Sequence, residues 1–141
     1  LSADLYGEIN RWLPMPFHYG ESDCCMVLAD WVRRVTGIDV AAEYRLTYTD
    51  LGSCQRATGF RADPLRVTTH CMEAVGGFPR TDAPAPGDVA VVRALIDGRV
   101  VPFGALRLRD GWASKAEHGA CIWRRGDLIE VLRAWSIGYE T

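Results

Sequence analysis

No stretch of this 141-residue chain approaches the roughly 18 consecutive apolar residues that a membrane-crossing helix requires. Nor is there an excess of positive charge. The 16 basic residues face 18 acidic ones, a net charge of −2, and the nearest thing to a basic cluster is the pairs Arg33-Arg34 and Arg124-Arg125. A nucleic-acid partner, which needs a basic patch or stripe, is therefore not expected. Cys-x-x-Cys is absent, and no His and Cys stand at zinc-finger spacing, so no metal or other cofactor is expected. The five cysteines, at 24, 25, 54, 71 and 121, are odd in number and do not form the pattern of a disulfide framework. Leu1-Ser2-Ala3-Asp4 has neither the basic nor the apolar region of a signal peptide. Free thiols, made in a reducing compartment, are the expectation. There is no internal repeat and no low-complexity stretch.

What is present is an ordinary globular balance, 48% apolar and 24% charged. A chain of this length buries about two-thirds of its unfolded surface, enough for a core without staples. We read one domain over 1–141, with a helical half at 1–80 and a strand half at 86–141. The break between them is Ala83-Pro84-Ala85-Pro86-Gly87.

In the helical half, Leu5 to Leu13 is amphipathic, with Leu5, Ile9, Trp12 and Leu13 on one face, and Pro14 and Pro16 end it. The next helix is the clearest. Ser22 or Asp23 caps it and Gly37 closes it, and Cys24, Val27, Leu28, Trp31, Val32 and Val35 form one continuous face. Asp39 to Tyr48 reads as a loop with aromatic anchors. Thr49 to Thr58 reads as a short helix ending at Gly59, and Asp63-Pro64 starts another that runs to about Val75 before Gly76-Gly77.

Four strands are predicted in the second half: Asp88 to Arg93, Val100 to Arg109, Gly119 to Arg124 and Leu128 to Ile137. Turns at Asp97-Gly98, Asp110-Gly111 and Gly126-Asp127 separate them. Helices followed by a strand meander imply an α+β domain with N-terminal helices packed on a small antiparallel C-terminal sheet.

Cys24 is the candidate chemical centre. At a helix N-terminus, unpaired N–H groups and the dipole favour the thiolate, the nucleophilic form. The N–H groups near Asp23 and Cys25 are placed to hold an oxyanion, and a histidine would protonate the leaving group. The bland reading is a buried thiol on an apolar helix face, with Asp23 as a cap. His18 reads as a surface residue, His70 as a half-exposed helical one, and the tryptophans at 12, 31, 112, 123 and 135 as core and interface anchors.

The run Phe17-x-Tyr19-Gly20-x-x-Asp23-Cys24, followed by an amphipathic helix, resembles the active-site segment of NlpC-type cell-wall peptidases. Pro86-Gly87-Asp88-Val89-Ala90-Val91-Val92 resembles that family's first core strand. The match is closer to the small NlpC-like proteins encoded among bacteriophage tail genes. It runs through Trp12, Pro16 to Cys24, Thr36-Gly37-Ile38-Asp39, Tyr44-Arg45…Tyr48 and Ala134-Trp135. The Ser-Gly that follows the family's cysteine is Cys25-Met26 here.

The resemblance implies a papain-like fold and a cysteine peptidase that cleaves peptidoglycan peptides while the phage genome is delivered. It implies a place in the virion, at the tail tip, among other tail-tip or hub proteins. Cys24 would be the nucleophile. The family's base is a His in a His-x-Gly pattern on the second core strand, with a polar residue about twelve positions later, and two registers compete for it. With Val101 to Leu106 as that strand, Pro102 stands where the base should be. With His118 to Ile122 as that strand, His118 is the base and Glu130 orients it. The first register fits the spacing from Gly87-Asp88 better. With the base missing, the same fold would serve as a catalytically silent structural or docking module of the tail.

Overall fold

The computed structural model describes residues 4–124, 127 and 129–140. It is α+β, with four helices followed by a five-stranded antiparallel sheet. Helix α1 is Leu5–Trp12, α2 is Cys24–Thr36, α3 is Leu51–Thr58 and α4 is Pro64–Thr69, which runs on as a π-helical turn, His70–Val75. The strands are β1 Val89–Ile96, β2 Arg99–Leu108, β3 Gly111–Lys115, β4 Ala120–Arg124 and β5 Ile129–Trp135, in the sheet order β4-β3-β2-β1-β5.

Each helix carries the start or stop its sequence announces. Asp23 caps α2, and Gly37 closes it in the left-handed region with φ 82°. Asp50 and Ser53 form a reciprocal capping box on α3, and Gly59 ends it. Pro64 opens α4. Helix α1 differs from its expected face in two ways. Leu13 lies beyond its end and is exposed, and Glu8 is buried, held by Arg34 at 2.7 Å and Arg11 at 3.2 Å.

The sheet contains a strand the turn signals did not separate. Gly111–Lys115 forms β3, buried along its whole length, between β2 and β4. Arg109 and Asp110 form the tight β2–β3 turn, and Gly111, the first residue of β3, approaches the Trp123 carbonyl so closely that no Cβ fits there. Asp97 (φ 50°) and Gly98 (φ 78°) turn β1 into β2, as their two-residue hairpin signal implies. Gly126 of the last expected turn and Leu128 of the last expected strand, with Arg125, Leu1, Ser2, Ala3 and Thr141, lie outside the described residues.

Strand alternation sorts the interior into two clusters. Val89, Val91, Leu106, Leu108, Ala113 and Trp135 pack with α1 and α2 in the main core. Ala90, Val92, Phe103, Ala105 and Trp112 form a second cluster on the other face, and Cys24 packs against it. Trp31 is fully buried and its indole N–H donates to the Gly87 carbonyl at 2.9 Å, locking α2 to the start of β1. No described helix is long and apolar enough to cross a membrane.

Candidate functional site

The site is built around the start of α2. The loop before it closes on itself: the Ser22 hydroxyl donates to the Pro16 carbonyl at 2.6 Å and accepts from the His18 N–H at 3.0 Å. Asp23, 5% exposed, then fixes the helix end. One carboxylate oxygen accepts from the N–H groups of Cys25 (3.1 Å) and Met26 (3.0 Å). The other accepts from the Gly20 N–H and the Tyr48 hydroxyl, both at 2.8 Å. Four donors on one carboxylate leave it no capacity for acid–base work. Burial, followed by the Asp23 charge, drives the Tyr48 phenol far above its ordinary range, so it stays a donor.

Cys24 and Cys25 follow, both half-buried. The Cys25 thiol is pushed well above its ordinary value, first by its hydrogen bond to Cys24 and then by burial. It is held as a neutral donor to its neighbour. Gly104 of β2 lets this helix end come close: a Cβ there would lie 2.6 Å from Leu28 Cδ1 and 3.5 Å from both the Cys24 carbonyl and the Cys25 sulfur.

Cys24 lines a cavity of about 430 Å³ with mostly apolar walls. Rings from Phe17, Tyr19, Phe103 and Trp123 contribute, and Phe103 and Trp123 are stacked with centroids 4.9 Å apart. All five cysteines reach this cavity, and all five are free. Among the described residues no group of three or more His, Cys, Asp and Glu is arranged to hold a metal ion.

The expected base does not stand with the thiol. Among the described residues, no histidine lines the cavity. Pro102, on β2, does line it, with Gly104 two residues on. About twelve positions after Pro102 stands Ser114, which also lines it and donates to the Gly104 carbonyl at 2.8 Å. His118 is exposed in the β3–β4 turn, whose residues Ala116 and Glu117 line the cavity while His118 does not. Glu130 is on β5, exposed and paired with Arg93 at 3.4 Å. β4 and β5 are opposite edges of the sheet, so the structure does not bring Glu130 to His118. The reason is that β5 does not continue the meander beside β4 but crosses to pair with β1, while His118 stands in the turn before β4. His18 is exposed at a separate surface hollow with Glu21 and Leu46. His70 is exposed and pairs with Glu43 at 3.1 Å.

Two members of the site were not singled out from the sequence. Tyr48 appeared only as a loop anchor, because nothing local marks a tyrosine that reaches back to a helix cap. Lys115 was given no role. Its burial follows from the β3–β4 hairpin, and Trp112-Ala113 followed by Ser114-Lys115 has no alternation that would have signalled a strand.

The family model described as a domain of unknown function (DUF6950) matches residues 2–137, and the chain belongs to that family. No curated protein and no solved structure matches the chain.

Proposed function

We propose that this member of the DUF6950 family is a bacteriophage tail-tip or tail-assembly component on an NlpC-like papain fold, and that its Cys24 cavity binds rather than cleaves. The observation that carries the reading is the wall of that cavity. Pro102 stands where the resemblance asks for the base, and no histidine lines the cavity among the described residues. Amide hydrolysis needs a group that takes the thiol proton and returns it to the amine leaving group. A ring without an N–H cannot do either.

Support for the scaffold comes from three features together: a cysteine at the start of a buried helix, a Pro-Phe-Gly run on β2 packed against that helix end, and a meander that begins at Gly87-Asp88. The peptidase reading has one observation in its favour, since Ala116 and Glu117, beside His118, do line the cavity. Incubating purified protein with cross-linked peptidoglycan separates the two. The binding reading expects no release of soluble muropeptides. Release by the wild type that disappears in both Cys24→Ala and His118→Ala would overturn it.

A further inference from the structure

The cavity holds a feature that neither a peptidase nor an inert core needs. Lys115, at the end of β3, is 4% exposed and lines the cavity. Its ammonium donates to the carbonyls of Ala116 at 3.0 Å and Gly119 at 3.1 Å. Among the described residues, no carboxylate lies within ion-pair distance of it. An ammonium has three N–H donors, so two carbonyls leave one unused. A buried charge without a counter-ion is costly, and a site that keeps one gains by taking an anion.

The other charges at the cavity do not fill this role. Asp23 is saturated by its four donors, and Glu117 and Arg61 are exposed. Elsewhere the walls are rings and aliphatic side chains, and about 430 Å³ falls within the roughly 300–1,000 Å³ typical of small-molecule sites.

We propose that the cavity takes a small apolar monocarboxylate, with its carboxylate on the Lys115 ammonium and its hydrocarbon or aryl body among Tyr19, Phe103 and Trp123. The proposal rests on the binding reading of the site and names its ligand class. Burial lowers the Lys115 ammonium from its ordinary range.

Calorimetric titration at neutral pH with octanoate, and with octanol as its neutral counterpart, tests it. A hydrogen-bonded charge pair is worth about tenfold or more in affinity. Wild type is expected to prefer octanoate over octanol by at least that factor, Lys115→Arg to keep the preference, and Lys115→Met to bind the two equally. Thermal unfolding of Lys115→Met shows whether it is folded, and Lys115→Arg carries the test if it is not. Equal binding of acid and alcohol by wild type, or a preference that persists in a folded Lys115→Met, would overturn the proposal. If octanoate is not preferred and peptidoglycan is not cleaved, the ligand class fails while the binding reading stands. If peptidoglycan is cleaved through Cys24, the binding reading fails whatever octanoate does.

Discussion

The Asp23 carboxylate accepts a hydrogen bond from the Tyr48 hydroxyl at 2.8 Å, with both residues buried, and so ties the loop after α2 to the first turn of that helix. The same oxygen holds the Gly20 N–H, and a Cβ at Gly20 would collide with the Tyr48 carbonyl. Three segments meet on one side chain. Tyr48→Phe leaves part of the carboxylate unsatisfied and is expected to cost about 1–3 kcal/mol. Asp23→Ala strands the phenol as well and removes the helix cap, itself worth about 0.5–2 kcal/mol. Urea denaturation should therefore show a larger loss for Asp23→Ala than for Tyr48→Phe. The reverse order would contradict the assignment of Asp23 as the hub.

Gly104 sets how near α2 comes to the sheet. Its substitution by alanine drives a methyl toward Leu28 Cδ1, and overpacking of this kind costs about 1–3 kcal/mol. Leu28→Ala removes the obstructing atom. In that background Gly104→Ala should cost less than it does alone, and a double-mutant cycle reads the difference. Additive losses would show that the two side chains do not compete for the same space.

Alkaline pH should destabilise the fold. Burial pushes the Cys71 thiol up from 9.0 to about 11, and Cys25, Cys54 and Tyr48 are raised as well. In each case the folded chain holds a proton that the unfolded chain has released. The stability they contribute is complete below about pH 9 and is lost as pH rises through the folded-state values. Lys115 acts in the opposite sense, because burial lowers it and folding there gains as the pH rises toward 10.5, but Tyr19 and Tyr44 are raised too and add to the four groups opposing it. Urea midpoints measured in reductant should fall steadily from pH 8.5 to 10.5, and a flat or rising series would contradict the account.

The helical half was legible because its signals are local. Asp23 and Gly37 bracket one apolar face, Gly59 ends the next helix and Asp63-Pro64 starts another, and each lies within a turn of the helix end it sets. The strand half was legible only in part. Gly111-Trp112-Ala113-Ser114-Lys115 lacks the run of branched residues that marks a strand. It is a strand because β2 and β4 pair with it on both sides. The spacing of His118 and Glu130 suits a base and its orienting acid, but spacing does not show that β5 crosses to pair with β1, which leaves one in the turn before β4 and the other on the opposite edge of the sheet. Lys115 was missed because its burial is a property of the β3–β4 hairpin and not of its neighbours in sequence.

The central claim is that no imidazole serves Cys24, and the alkylation rate of that one thiol tests it most directly. Iodoacetamide labelling followed by peptide mass spectrometry gives the Cys24 rate separately from the other four cysteines. The rate should be followed between pH 4 and pH 9 in wild type, His118→Ala and His18→Ala. A thiolate–imidazolium pair keeps a thiol reactive in acid, and its loss shows as a step that disappears with the histidine. The account expects three superimposable profiles. A wild-type profile with an acidic reactive limb that vanishes in His118→Ala would contradict it and return Cys24 to the peptidases.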